Sequence, residues 1–391
     1  MTAIGSDWRV VEGVVTTWFD APSLSAAAAL ATCIAGLAPS AAIDLRSAGV
    51  RVRLDAAEQT GDVSAAAQEL GLVADPGVLQ QLSVVVESAD PAALSRFWQD
   101  ALGYEAAATG DLVDPLRRDP ALSLRQSADA RPLRNRIHLD VVRPAAVVEQ
   151  AGLGEAFGAY GVCHADADGN EVDVVPGDPL GETDATSDWQ AVFGAVASYR
   201  TTSPAAQGAL AVALAALADE AGFPLLIDLP PGLVVLDSGK DRWEADAHGL
   251  DLDFVELAAR LQRAAREAGA TADATLPRFV QLFMDAADVA AVRAFWAAAL
   301  GYEPDRREGV TDLNDPRRLN PVLVFQELDP AEVERRRQRN RMHLELAVPA
   351  DAARTRVETA LTAGGRLLGE AADRWLIVDP EDNELVVKTA R

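Results

Sequence analysis

Arg134-Asn135-Arg136-Ile137-His138-Leu139-Asp140 returns later in the chain as Arg339-Asn340-Arg341-Met342-His343-Leu344-Glu345. The seven positions match in order, with only Ile exchanged for Met and Asp for Glu, and two of the four histidines lie in these copies. Apolar or alternating residues follow each histidine, so each opens a predicted β-strand. A repeat at this range sets the domain plan before any other reading.

The match extends in both directions. Arg96 to Tyr104 (Arg-Phe-Trp-Gln-Asp-Ala-Leu-Gly-Tyr) pairs with Ala294 to Tyr302 (Ala-Phe-Trp-Ala-Ala-Ala-Leu-Gly-Tyr), and Asp168-Gly169-Asn170-Glu171 with Glu381-Asp382-Asn383-Glu384. The offset grows along the chain, from Phe97 and Phe295 to Glu171 and Glu384, so the copies differ by short insertions expected in loops. Further upstream Trp8 pairs with Trp189, and Ile43-Asp44-Leu45 with Ile227-Asp228-Leu229. The chain is one two-part unit written twice.

Composition bounds the reading. The 391 residues are 49% apolar and 24% charged, ordinary globular usage with material for several cores. A net charge of −25 argues against nucleic acid and anionic membrane surfaces as partners. Two cysteines, Cys33 and Cys163, make no disulfide framework, and a reducing cytoplasm is the expected location. No basic segment followed by an apolar run opens the chain, so no secretory leader is expected, and Ala26–Leu37 is too short to span a bilayer.

Residues 1–78 read as a short helix carrying Trp8, a strand from Val14 to Phe19, a long helix opened by Pro22 and Ser23, a hairpin (Ala41–Leu45, Val50–Leu54) and a helix from Asp62 to Leu70. Residues 187–272 repeat this order, with strands Ala195–Thr201, Leu225–Leu229 and Leu233–Leu236 and a last helix Phe254–Ala268. The order resembles the pterin-4a-carbinolamine dehydratase fold, a small α+β domain. That family carries adjacent histidines at the end of the long helix. Here those positions are Pro39-Ser40-Ala41-Ala42 and Gly222-Phe223-Pro224-Leu225, which cannot move protons near neutral pH. Both domains read as having lost that chemistry, and His248 reads as a solvated loop histidine.

Residues 79–177 and 273–391 each read as strand, helix and three strands, twice over. In the second copy the first strand is Phe279–Met284. Asp288 caps a helix ended by Gly301, and strands follow near Glu308 and at Val322–Gln326. Its second half has strand Met342–Val348, helix Asp351–Leu361, and strands Trp375–Val378 and Leu385–Lys388. The motifs Phe-Trp, Ala-Leu-Gly-Tyr, Asn-Arg-x-His-Leu and Asp-x-x-x-Asn-Glu, in this order in both copies, resemble the glyoxalase-like branch of the vicinal-oxygen-chelate superfamily. The resemblance implies paired βαβββ modules curled around a cleft, where many members hold a divalent metal through His, Gln and Glu.

Carried over position by position, the resemblance implies ligand-binding residues Ser83, Arg125, His138 and Asp173 in the first copy, and Gln281, Gln326 and His343 in the second. Val386 stands where the last ligand would be, and Glu171 and Glu384 lie two residues earlier on the same strand face. Arg125 would repel a metal, whereas Gln281 can ligate one. The implied metal set is Gln281, His343 and Glu384, for one divalent ion. Alternatively, the histidines are structural strand-start residues, or line a metal-free pocket. Of Phe97/Trp98 and Phe295/Trp296, one of each pair should fill a core. The run Glu332 to Arg339 reads as a solvated loop or helical turn, and Pro176 to Thr183 as the linker between halves.

The expected architecture is four α+β domains in tandem repeat, with the two barrels as an internal pseudo-dimer in a monomer or homodimer. The expected function is binding of a small organic ligand in the barrel clefts, as in sequestration or resistance. The alternative is a metal-assisted lyase, isomerase or dioxygenase acting at His343 or His138. A residual 4a-hydroxytetrahydrobiopterin dehydratase is the weakest.

Overall fold

The structure, a computed structural model, describes residues 4–389. The four segments group into two compact units, each drawing on both copies of the repeat. One takes the chain up to Leu79 with Gly177–Arg278; the other takes Gln80–Pro176 with the chain from Phe279 onward. Among the described residues no helix is long and apolar enough to cross a membrane.

In the first unit, strand Val14–Asp20 pairs antiparallel with Gly49–Leu54, which turns back onto Ala42–Arg46. Ser23 caps helix Leu24–Leu37 by accepting from the Ala26 amide, and Ser203 does the same for Pro204–Ala221 through Ala206. The halves join edge to edge where Ile43, Asp44 and Leu45 pair antiparallel with Leu229, Asp228 and Ile227. The two long helices pack together over the joined sheet. Gly208 permits this: a Cβ there would stand 3.2 Å from the Thr32 Cα. At the seam Asp44 is buried with Arg51 at 2.6 Å and Arg53 at 3.1 Å, while Asp228 takes Arg46 at 2.7 Å. Burial opposes the Asp44 charge, but the arginines outweigh it and hold the carboxyl well below the usual range.

Three expectations change here. Trp8 lies on a turn before strand Arg9–Val11, not on a helix. The stretch after Pro176 is not a loose linker, because Asp178 and Pro179 pair with Ala191 and Gln190. His248 is not solvated: it ends the short helix Ala245–His248, buried edge-on to Phe223, and its Nδ1 accepts from the Leu250 amide at 2.9 Å.

The second unit holds two separate sheets, and each is built from half of each copy. In one sheet the first-half strands of copy one, Gln81–Ser88 and Leu122–Gln126, join the second-half strands of copy two, Met342–Val348, Glu384–Thr389, Arg374–Val378 and Arg366–Ala371. In the other, Phe279–Ala286 and Val322–Glu327 of copy two join Ile137–Pro144, Glu171–Pro179 and Cys163–Ala165 of copy one. The central pairings are antiparallel, His343 opposite Val85 and His138 opposite Phe283. The expected strand near Glu308 is instead two short ones, Glu303–Pro304 and Leu313–Asn314, and Arg366–Ala371 is the third strand of the last half, for which the sequence reading gives no bounds.

The repeated Arg-Asn-Arg stretch fastens the exchange. Asn135 Oδ1 accepts from the Arg341 amide at 2.9 Å, and Asn340 Oδ1 from the Arg136 amide at 3.0 Å. Their Nδ2 groups donate to Asn170 and Asn383 at 2.7 and 2.8 Å. Trp98 and Trp296 are buried and donate to Asp166 and Asp379, each at 2.9 Å. The motifs that mark the repeat are therefore framework: they satisfy buried polar groups where the copies cross.

Candidate metal centre

Side chains alternate across a strand, so the register fixes which residues share a sheet face. In the sheet centred on Ile137–Pro144, His138 and Asp140 share a face with Phe283 and Gln281, their partners on strand Phe279–Ala286. Asp173 on the neighbouring strand completes a group in which one ligand atom each from His138, Asp140 and Asp173 lies within 4.8 Å of the others. His138 Nε2 stands 3.6 Å from Asp140 Oδ1, and Gln281 Nε2 donates to Asp140 Oδ2 at 3.0 Å. Gln281 is buried and its Oε1 has no hydrogen-bond partner. An orphaned carbonyl oxygen beside two carboxylates and an imidazole fits a cation.

Local structure orients these groups. The Phe283 ring stacks on His138 at 5.0 Å between centroids and 13° between planes. Burial pushes the His138 imidazole below its ordinary value, against the pull of Asp285 and Asp173, so its lone pair is available at neutral pH. Cys163 lies opposite Asp173 on the next strand; burial, then its hydrogen bond with Asp173, push the thiol well up. It stays protonated and is no thiolate ligand.

The other sheet has the same framework and opposite electrostatics. Glu345 stands in the place of Asp140 but is claimed by Arg374 at 2.6 Å and Lys388 at 2.7 Å. Burial pushes its carboxyl up, and the two cations outweigh that and hold it down at about 2. Asp173 is replaced by Val386 and Gln281 by Ser83, whose Oγ donates to the Glu345 carbonyl at 3.4 Å. His343 is buried, which lowers its pKa, and its Nδ1 is 3.9 Å from Glu87. Glu87 and Glu384 are both taken by Arg339, at 2.6 Å each.

The expected residues are thus regrouped. Gln281, His343 and Glu384 do not form one set: Gln281 belongs with His138 and Asp173, and His343 and Glu384 lie in the other sheet. Gln326 and Arg125 sit four residues further along their sheets. Gln326 donates to Asp285, and Arg125 is half exposed, 3.9 Å from Asp111. Glu171 is held by Arg134 at 2.7 Å. The basic run is not merely solvated, since Arg335 is buried against Asp285 and the Asn135 carbonyl. Asp140 was missed, although a step of two from His138 places it on the same face.

The chain is built of exchanged β-α-β modules, and one of the two sheets of the second unit carries a His-Asp-Asp cluster that could hold a metal ion. The chain belongs to the glyoxalase-like domain family, whose model matches residues 83–183 and 281–387, together more than half of the sequence. Among solved structures it is similar to glyoxalase I from Zea mays (10% identity, 80% of this chain, 93% of that chain, TM-score 0.40). It is also similar to a glyoxalase-related enzyme from Fulvimarina pelagi (19% identity, 27% of this chain, 84% of that chain, TM-score 0.23). Comparison with curated proteins gives no match.

Proposed function

We propose that His138, Asp140 and Asp173, with Gln281 beside them, hold one divalent metal ion, and that the cleft works on a small oxygen-bearing organic ligand as a metal-assisted lyase, isomerase or dioxygenase. The observation that carries this reading is the convergence of the three ligand atoms within 4.8 Å next to the orphaned Gln281 oxygen. One imidazole with two carboxylates suits manganese, iron, nickel or zinc. Such an ion, when bound, supplies electrophilic polarisation of a ligand oxygen. The chain's own part is to present His138 neutral and fixed by Phe283, and to hold Asp140 through Gln281. The Glu345 cleft then serves as scaffold. Sequestration without turnover would use the same site, and turnover assays separate the two. Nothing at the long-helix ends of the first unit favours a dehydratase.

Elemental analysis tests this, after purification without chelator and loading with zinc, nickel, manganese or iron. The expected result is about one equivalent per chain, lost in His138→Ala and Asp173→Asn and kept in His343→Ala. Metal at a hundred times its dissociation constant should add ~2.7 kcal/mol of stability. No metal above background with any ion, or loss in His343→Ala alone, overturns the reading.

A further inference from the structure

Scaffold to the metal centre, the sheet of His343 has a polar face of its own. His343 and Glu345 share that face with Val386, and Lys388 and its strand partner Arg374 lie on it too. Leu344, Leu385 and Val387, on the opposite face, belong to the apolar core. His343 stands between two charged groups. On one side Arg339 spans Glu87 and Glu384. On the other, two residues or about 7 Å along the strand, Glu345 takes Arg374 and Lys388. In both groups the carboxylates lie beneath and the arginines outside. The Arg374 side chain is 47% exposed and that of Arg339 39%, while those of Glu87, Glu384 and Glu345 are at most 14%. A group arriving from solvent therefore meets cations first, in a chain whose net charge is −25. Arg374 gives one N–H to Glu345, and among the described residues the rest of its planar fork is open.

His343 is only 6% exposed, yet neither of its ring nitrogens makes a hydrogen bond among the described residues. A buried polar group left without a partner is costly. Nδ1 is sealed from solvent and lies 3.9 Å from Glu87, so a proton is favoured there and Nε2 is the nitrogen left to a ligand. We propose that this face binds a small organic carboxylate, held by the open fork of Arg374 and by the Nε2–H of a protonated His343. The same framework then takes a cation at His138 and an anion at His343, and the second site does not depend on the first. Binding takes up one proton. In the free chain burial holds the imidazole below its ordinary value, with Arg339 in support and Glu87, Glu384 and Glu345 opposed. Arg374 and Lys388, from the neighbouring strands, also disfavour the cation, and Glu345 offsets them in part. A carboxylate seated at Nε2 adds the negative charge that tips this balance toward the imidazolium.

The test uses the full chain, freed of metal and then of chelator, with carbon-13-labelled histidine for NMR. The chain has four histidines, and His343→Gln assigns the signal. Sodium acetate, succinate and benzoate are added in turn, against sodium chloride at equal ionic strength. At least one carboxylate should shift the His343 ring signal saturably and raise the His343 pKa, read from the same signal, by about one unit, while chloride does neither. Arg374→Gln should weaken that carboxylate about tenfold. Arg374→Lys, which keeps a cation beside Glu345 without the planar fork, should weaken it about threefold. No saturable shift with any of the three, a shift equalled by chloride, or an affinity unchanged in both Arg374 variants overturns the proposal. None of these outcomes bears on the metal centre, which elemental analysis tests separately.

Discussion

At the residue scale, one substitution separates the polar clusters of the two sheets. Asp173 brings a second carboxylate to His138 and Asp140, and Val386 at the matching place leaves Glu345 to Lys388 and Arg374. That ion-paired carboxylate has a measurable signature. The folded Glu345 pKa, about 2, lies below its ordinary value of 4.5. Its ionised form therefore stabilises the fold above pH 4.5, and that contribution is lost as the pH falls toward 2; the shift corresponds to at most about 3 kcal/mol. Glu345→Gln should be less stable than the parent at pH 7, with the gap narrowing between pH 4.5 and 3 in urea unfolding. A gap that does not change with pH would mean the charge is not what stabilises this cleft.

At the scale of elements, the copies diverge most where one has strand Arg366–Ala371 and the other has the stretch from Gly152 to Gly161. Gly152, Gly154, Gly158 and Gly161 all have positive φ, a conformation no regular strand uses, so this stretch bridges its neighbour only at Phe157. Gly158 has the least freedom: its φ is +82°, and a Cβ there would meet the Cys163 Cβ at 3.3 Å. Gly158→Ala should cost about 1–2 kcal/mol and displace Phe157. Unchanged stability in urea unfolding would show that the Gly158 conformation does not hold this loop.

At the scale of the whole molecule, the repeat and most long elements were legible in the sequence, because capping residues, terminal glycines and period-two strands are local signals. The helices opening at Ser23 and Asp288 and the strand opening at Met342 are of that kind. Which half pairs with which was not legible. Equivalent halves offer the same edges and apolar faces, so pairing within a copy and between copies satisfies the same local pattern. Hence Gln281 was placed with His343 rather than His138, and Asp140, whose partner Gln281 comes from the other copy, went unnoticed. The same ambiguity predicts the behaviour of one copy alone. A fragment of residues 1–183 lacks the partner strands of both sheets and should run as a homodimer, its Gln81–Ser88 strand pairing with Ile137–Pro144 of a second molecule. Light scattering coupled to size exclusion checks this, and a stable monomer would show that one copy can close on itself.

Synthesis runs from one end of the chain to the other, and the exchange sets a timetable for it. Ser83 meets Glu345 across a gap of 262 residues, and Asp140 meets Gln281 across 141. At ~5–20 residues per second the ribosome needs on the order of tens of seconds to deliver the later partner. Throughout that interval the earlier strands present bare edges whose best substitutes are the same strands on a neighbouring nascent chain. Chains emerging side by side from one messenger can therefore exchange halves with each other before each has its own, and crowding on the messenger influences how many finish as single molecules.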